Sequence, residues 1–395
     1  MSALRDLSER MLAGEELPVG LPVAPPPGER LPGDVLLAPS FANVAAVPTG
    51  DGLVLIDSGG MLTAQRTHED LRRLSDDPVH TVVYTHGHVD HVMGALLLGD
   101  DVQVVAHERV TARFERYRRT RGWNAAINRR QFGIAELEWP AEFREPDRTF
   151  HDALDLDVGG VRLELRHARG ETDDHLYVWV PDRGVLFCGD FFTWSLPNAG
   201  NPQKAQRYPV EWAAALRAMA ALGAELVVPG HGPPLFGADT ARRVLTETAE
   251  ALESLIEQTL ELMNRGASLD EVLHGVRLGE PLRERPYLRS AYDDEEFVVR
   301  AIWRTFGGWW DGDPASLKPA PAAALAREIA ALAGGPGQLA QRARELADAG
   351  DLRLATHLAR LAEEAGADDV AEVYGRRAEA EPSLMARGVF TAASR

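Results

Sequence analysis

The chain has 395 residues, a formal net charge of −18, and 45% hydrophobic and 26% charged residues. This length suits two or three domains, each with its own core, and the composition is typical of a globular protein. The acidic balance argues against nucleic-acid binding, because phosphate contacts require a basic surface. It also gives no reason to expect adsorption to anionic membranes.

Cys188 is the single cysteine of the chain. Disulfides within the chain and cysteine-rich zinc sites are therefore excluded. The first 20 residues lack a basic segment followed by an apolar one, and the sequence contains no window of about 20 apolar residues. We therefore expect a cytoplasmic protein with no membrane partner.

Residues 1–35 are polar and then rich in proline, which predicts an extended N-terminal arm. Residues 36–240 alternate short apolar runs with helical stretches, which favours a layered domain of strands and helices. We predict a turn at 49–52 and another at 182–184. The predicted strands lie within residues 35–60, 80–88, 102–110, 161–168, 175–181, 184–192 and 225–232, and the predicted helices cover roughly 61–75, 107–121 and 209–222.

Residues 241–395 are predicted to form an all-α domain. A long amphipathic helix over 238–266 is followed by Ala/Leu/Arg-rich helices separated by glycine or aspartate. Their alanine faces permit close helix packing, which suits an internal core and a contact between subunits equally well.

The segment YTHGHVDHVMG, residues 84–94, concentrates three histidines and an aspartate. His86 and His88 are two residues apart, so in an extended segment both imidazoles point to one side and can reach one cation. Asp90 and His91 can reach a second cation nearby. Zinc binds imidazole nitrogen and carboxylate oxygen at similar distances. The alternative is a solvated polar loop.

This H-x-H-x-D-H pattern after a strand resembles the metallo-β-lactamase superfamily, whose fold is a four-layer αββα sandwich. The resemblance implies further ligands at later strand ends, in ARGETDDH, LFCGDFF and VPGHGPP. The expected fold class is α+β, with this sandwich followed by the all-α domain. The implied ligands are His86, His88 and Glu171 for one metal, Asp90, His91 and His231 for the other, and Asp190 as the bridge.

Glu171 departs from the common form of the superfamily, which has histidine at this position. His175, four residues later, is the alternative ligand, although that position normally lines the site without binding metal. The resemblance also implies that Asp57 supports the metal loop by hydrogen bonds. The ligand set suits two zinc ions, and the additional carboxylate leaves manganese or iron possible. It would make a metal-bound hydroxide more basic.

The carboxylate at position 171 and the stretch 286–321 resemble the type III, zinc-dependent alkyl sulfatases and their helical dimerisation domain. This resemblance implies a homodimer formed through that domain. It also implies hydrolysis of a small anionic sulfate ester, in which metal-bound hydroxide is the nucleophile. Asn198 matches the asparagine that holds the sulfate in that family. The family's arginine is missing at the expected spacing, but Lys204 and Arg207 follow.

The family also carries a further C-terminal domain resembling a sterol carrier protein, and we expect this chain to lack it. The substrate could therefore have a shorter organic group or be another ester, such as a lactone, thioester, phosphodiester or β-lactam. Redox chemistry at iron and a non-enzymatic helical assembly module are further alternatives.

The basic segment 113–130 is interpreted either as a solvated surface or as a lid. In the second interpretation an arginine meets an anionic group, the candidates being Arg118, Arg119, Arg129 and Arg130. Trp123 and Trp194 could line an apolar pocket, but we expect both to be core residues, like Cys188. We expect His151 and His167 to be structural.

Overall fold

A computed structural model describes residues 2–15 and 25–395. The arm prediction is wrong for Ala3–Leu12, which form the helix α1. The side chain of Ser2 accepts a hydrogen bond from the Arg5 amide, and Leu4 is buried in the apolar core. An N-cap and one anchored apolar residue therefore stabilise a helix where proline content predicted extension. Residues 16–24, a part of the proline-containing stretch of the arm, lie outside the described residues.

Two β-sheets form the centre of the fold, and each follows a simple strand order. Strands β3 and β4 pair through Thr49 and Gly52, which confirms the first predicted turn. The seven-stranded sheet runs in the order β1 (Glu29–Leu31), β2 (Val35–Ala38), β3 (Val44–Thr49), β4 (Gly52–Ile56), β5 (Val79–Val83), β6 (Gln103–His107) and β7 (Arg148–Phe150). The six-stranded sheet runs from β8 (Ala153–Val158) through β9 (Val161–His167), β10 (Leu176–Val180), β11 (Val185–Gly189) and β12 (Leu226–Pro229) to β13 (Leu235–Phe236).

The two sheets pack face to face, and helices cover their outer faces. One apolar cluster joins residues of both sheets, such as Val54 and Val178. A second cluster packs the outer face of the seven-stranded sheet against helices, and a third does so for the six-stranded sheet. The αββα sandwich is thus confirmed. The helices of this part are α2 (Ala64–Leu74), α3 (Val89–Val92), α4 (Arg109–Arg119), α5 (Arg121–Phe132) and α6 (Pro209–Ala221).

The remaining helices form the C-terminal half. They are α7 (Ala238–Asn264), α8 (Leu269–Gly275), α9 (Glu280–Arg283), α10 (Glu295–Gly307), α11 (Pro314–Leu317), α12 (Ala322–Leu332), α13 (Pro336–Asp348), α14 (Leu352–Glu364), α15 (Ala371–Ala380) and α16 (Leu384–Ala393). This confirms the predicted helical character of the region. The domain boundary at residue 240 stays a prediction, and it lies within the first turn of α7.

The C-terminal half contains two different kinds of packing. Val244 of α7 and Ile302 of α10 belong to the same apolar cluster as Cys188 of β11. By contrast, Ala343, Ala355 and other residues of α12 to α15 form a separate cluster. Those alanines are buried within the chain, so their small side chains serve close packing of helices within one subunit. Among the described residues, no helix is both long and apolar enough to cross a membrane. The cytoplasmic location stays a prediction.

Candidate metal centre

The candidate ligands lie at one edge of the sandwich because of strand direction. Strands β4, β5 and β6 are parallel to one another, as are β11 and β12. The carboxyl ends of parallel strands meet at one edge of a sheet, and the loops that leave them converge there. His86 follows β5, Asp190 follows β11 and His231 follows β12. Glu171 lies between β9 and β10, and the Leu176 amide bonds to Thr85 O at 2.8 Å, which joins the two sheets.

The first group of candidate ligands is His86, His88, Glu171 and Asp190, whose ligand atoms all lie within 4.8 Å of one another. His86 Nε2 lies 2.9 Å from His88 Nδ1, so the two imidazoles do point to one side. His88 Nδ1 lies 3.7 Å from Glu171 Oε1. The structure therefore brings the glutamate, rather than the superfamily's histidine, to this group.

The second group is Asp90, His91 and His231. His91 Nε2 lies 3.8 Å from Asp90 Oδ2, and His231 Nε2 lies 3.6 Å from the same oxygen. Asp90 and His91 belong to the short helix α3, which replaces the loop expected from the sequence. The side chains of Asp90 and His231 are 26% and 20% exposed, so this side of the cluster is open to solvent.

Asp190 connects the two groups. Its Oδ1 lies 3.4 Å from His91 Nε2, and its Oδ2 lies 3.2 Å from His231 Nε2 and 3.7 Å from His86 Nε2. Asp190 Oδ1 and His91 Nε2 are buried and have no hydrogen-bond partner. Buried polar atoms are normally satisfied, so a cation between them would fill this deficit. A Cβ at Gly230 would lie 2.1 Å from Asp190 Oδ1, so this close approach requires glycine.

Asp57 holds the metal loop, as the resemblance implied. Its Oδ1 accepts from the Thr85 amide at 2.7 Å, and its Oδ2 lies 2.8 Å from both Thr85 Oγ1 and His91 Nδ1. A carboxylate on the second nitrogen of an imidazole fixes its tautomer and orientation. Asp57 has φ 60°, a conformation that is uncommon for residues other than glycine.

His175 supports the site from behind and lies outside both groups of candidate ligands. Its Nε2 accepts from the Asp190 amide at 3.2 Å. Its ring stacks on Phe191 with centroids 4.1 Å apart. Burial lowers the pKa of His175 to about 3. A neutral imidazole that accepts from Asp190 fits the lining role expected for this position.

The electrostatic surroundings of the two groups differ. Burial lowers the pKa of His86 and His88 well below the ordinary value, and neighbouring cationic groups add to this. Burial also acts to lower the pKa of His91 and His231, but nearby carboxylates, Asp190 foremost, outweigh it and raise both values. Burial acts to raise the pKa of Asp190, yet the surrounding imidazoles hold it well below the ordinary value.

Two predicted anion-binding residues contact Glu171. Asn198 Nδ2 donates to Glu171 Oε1 at 2.6 Å, while Asn198 Oδ1 has no partner. Arg207 forms an ion pair with the same oxygen and donates to the Glu171 carbonyl at 2.9 Å. Both residues are therefore beside a candidate ligand, where they also fix its carboxylate.

Lys204 is the third predicted anion-binding residue and is only partly buried. Its Nζ donates to Asn128 Oδ1 at 3.2 Å and lies 5.7 Å from the centre of the Trp139 ring. Burial lowers the pKa of Lys204 to about 8, while Asp90 acts in the opposite direction. This amine is thus a cation below pH 8, and it is near enough to Asp90 for that carboxylate to act on its pKa.

Sequence reasoning missed Tyr292, which comes from the predicted dimerisation segment. Its hydroxyl accepts from Gln131 Nε2 at 2.7 Å. Burial raises the pKa of Tyr292, and the nearby Asp90 raises it further. No local signal marks this tyrosine, because only the packing of the helical region brings it to the site.

The basic segment 113–130 forms most of α4 and most of α5. The surface interpretation fits the four candidate arginines, since Arg118 pairs with Glu145 at 2.8 Å and Arg119 is exposed. Arg129 donates to the Leu137 carbonyl, and Arg130 donates to Gln203. In the described part of the chain, none of the four forms a hydrogen bond or an ion pair with a candidate ligand.

The other singled-out residues are mostly structural, as expected. Cys188 is fully buried, and Trp194 is 8% exposed with its indole donating to Pro233 O. His167 lies 2.8 Å from the His175 carbonyl, and His151 is on the surface next to Asp152. The core interpretation is wrong for Trp123, which is 61% exposed.

Two protein-family models match the chain. The model described as the metallo-beta-lactamase superfamily matches residues 37–231, and the model for alkyl sulfatase dimerisation matches residues 268–395. The first match contains all the candidate ligands. The second contains Tyr292.

Several known proteins are similar to the chain. A linear primary-alkylsulfatase from Pseudomonas sp. is 30% identical over 81% of this chain and 66% of its own length. An alkyl/aryl-sulfatase from Saccharomyces cerevisiae is 24% identical over 79% of this chain and 53% of its own length. The solved structure of a stereoselective inverting sec-alkylsulfatase from Pseudomonas sp. has a TM-score of 0.83 at 22% identity, covering 90% of this chain and 63% of that one. The chain thus spans between about half and two thirds of these relatives.

Proposed function

We propose that this chain, which belongs to the metallo-β-lactamase superfamily and carries an alkyl sulfatase dimerisation domain, is a metal-dependent hydrolase of sulfate esters. The proposal takes the two groups of candidate ligands as a dinuclear centre for zinc. The substrate is a small anionic ester, as the named activities of the alkylsulfatase relatives suggest.

The position of Asp190 carries this proposal. One carboxylate approaches imidazoles of both groups, within 3.4 Å of His91 and 3.7 Å of His86. A bridging carboxylate between two ligand sets is the arrangement of two-metal hydrolytic sites. The mixed nitrogen and oxygen ligands suit zinc, and manganese and iron also accept such ligands.

Two bound divalent cations would lower the pKa of a water molecule and take up negative charge that develops on the substrate. The chain's own residues position the metal ligands and the substrate. Asp57 and His175 orient the ligands, and the exposed side of Asp90 and His231 admits the substrate. We assign Asn198, Lys204 and Arg207 to binding of the substrate's anionic group, since all three carry hydrogen-bond donors beside the candidate metal ligands. Asn198 and Arg207 additionally hold Glu171.

The first test measures sulfate release from primary alkyl, secondary alkyl and aryl sulfates by protein of measured metal content. We expect release that stops after chelation and returns when zinc is added. A fully metallated sample that releases no sulfate but cleaves lactones, thioesters, phosphodiesters or β-lactams would overturn the sulfatase assignment and keep the metal centre. A sample that binds no metal would overturn both.

We include homodimer formation through the C-terminal helices in the proposal. Several large apolar side chains within residues 306–317 are exposed to solvent. The exposed fractions are 51% for Phe306, 68% for Trp309 and 49% for Leu317. Exposed apolar clusters of this kind mark contacts between proteins. Light scattering of the native chain should give the mass of a dimer. The Trp309→Ser variant should shift this equilibrium toward monomer, and the matched surface variant Trp123→Ser should leave it unchanged.

A further inference from the structure

Arg113 differs from the other arginines of helix α4. Its side chain is 4% exposed, whereas those of Arg116, Arg118 and Arg119 are on the surface. A guanidinium group can be buried only when it is paired and hydrogen-bonded, because desolvating its charge costs several kcal/mol. The position therefore indicates a specific contact and not the basic surface predicted for this segment.

The partners of Arg113 belong to the loop that carries Glu171. Arg113 Nε donates to Asp174 Oδ1 at 2.7 Å, and Nη2 forms an ion pair with Asp173. The planar guanidinium thus bonds two adjacent carboxylates, which a lysine ammonium cannot match in geometry. Asp174 is three residues after Glu171 and is completely buried.

Asp174 also bonds the other ligand loop, which carries His86 and His88. Its second oxygen, Oδ2, accepts from the Gly87 amide at 2.7 Å, and Gly87 lies between His86 and His88. Burial acts to raise the pKa of Asp174, but the charge of Arg113 and the hydrogen bonds outweigh it, so the pKa lies below the ordinary value. The carboxylate is therefore ionised, and it accepts from Arg113 of α4 and from Gly87 of the His86 loop.

There is little free space in this arrangement. A Cβ at Gly87 would lie 2.8 Å from Arg113 Cδ and 2.9 Å from Asp174 Oδ2. The chain of contacts from α4 to Asp174 to Gly87 consequently fixes the distance between the loop of His86 and the loop of Glu171.

We propose that Arg113 is a positioning residue that sets the spacing of the first ligand group, His86, His88 and Glu171, without touching it. The inference rests on the proposed dinuclear centre. Outer contacts that orient metal ligands typically contribute about 10–100-fold to metal affinity. Loss of the two contacts of the Arg113 guanidinium, to Asp173 and Asp174, should therefore weaken metal binding by the first group. Metal binding by the second group should be unchanged.

The charge of Arg113 has the opposite effect. A cation close to a metal site repels the metal ion, so its removal alone would tighten metal binding. Arg113→Lys keeps the positive charge but removes the paired contacts of the planar guanidinium. It therefore separates the effect of positioning from the effect of charge. Asp174→Asn preserves size and weakens the link to Gly87, and it provides a second route if the arginine variant does not fold. Arg119→Lys is the matched control on the exposed side of the same helix.

The experiment measures zinc per chain during titration with a competing chelator, together with thermal unfolding of the metal-free proteins. We expect Arg113→Lys and Asp174→Asn to lose one zinc about 10–100-fold more readily than the native chain and to hold the other normally. The control should behave as native. Equal loss of both ions, or native or tighter binding in both folded variants, would overturn the positioning role. Absence of zinc from the native chain would instead overturn the proposed dinuclear centre.

Discussion

The two ligand groups of the metal centre use different surroundings for similar side chains. In the first group, His86 and His88 have lowered pKa values, because burial and nearby cations such as Arg207 disfavour their charged forms. In the second group, carboxylates surround His91 and His231 and raise their pKa values above the ordinary range. The imidazoles of the first group are thus held neutral, whereas those of the second group lie among carboxylates that favour positive charge.

Because of this difference, the two ligand groups provide unequal environments for their cations. The supports of the first group are cationic or amide donors, such as Arg207 and Asn198, which contact Glu171. The support of the second group is the buried carboxylate of Asp57, which contacts His91. Electrostatics therefore favour a cation in the second group, whereas the first depends more on ligand geometry.

Replacement of Asp190 should have the largest effect, because this residue belongs to both groups. We expect Asp190→Ala to lose both metals and to abolish hydrolysis, since three imidazoles lose their shared carboxylate. Metal analysis and an activity assay check this result. Retention of one metal would show that the groups bind independently and would break the assumption that Asp190 joins them.

Replacement of Asp57 should affect the second group selectively. Asn tolerates the left-handed backbone at this position, but Asp57→Asn removes the charge beside His91. We expect up to about 100-fold weaker binding of one zinc, as for other outer partners of metal-binding histidines. Chelator titration of the variant measures this change. Equal weakening at both metals would contradict the separation of the two groups.

Replacement of Asn198 should lower substrate turnover even when both metals are bound. A hydrogen bond to a charged group contributes about 1.5 kcal/mol, so Asn198→Ala should lower kcat/KM roughly tenfold. Steady-state kinetics at full metal occupancy provide the measurement. Unchanged kinetics with the best sulfate ester would remove Asn198 from the anion site.

The smallest effect concerns pH. Because burial lowers the pKa of Lys204 to about 8, its amine is charged below that pH and neutral above it. A partly exposed charge contact contributes about 1 kcal/mol, so KM should rise roughly fivefold as pH increases through 8. In Lys204→Met this rise should disappear and KM should stay at the high-pH value. A rise that persists in the variant would assign it to another group.

The sequence determined those parts of the protein that depend on local pattern. The family resemblance carried by the H-x-H-x-D-H segment implied the sandwich and the later ligands Glu171, Asp190 and His231. The apolar runs of the buried strands and the 3.6-residue periodicity of the C-terminal helices predicted a layered domain and a helical half, and the spacing of His86 and His88 predicted that both reach one cation. These features follow from side-chain direction and periodicity along a short stretch of chain. The prediction of an extended arm was wrong for residues 3–12, because the burial of Leu4 depends on distant residues.

Only the tertiary structure decided which side chains surround the ligands. Arg113 is within a run of surface arginines in sequence, yet it is the one that reaches Asp174. Tyr292, about 60 residues beyond His231 in the chain, lies near enough to Asp90 for that carboxylate to raise the pKa of its hydroxyl. Such contacts join residues far apart in the chain, and they form because the sheets and helices pack in one way. A local pattern contains no information about these partners, whose burial and charge arise only in the folded molecule.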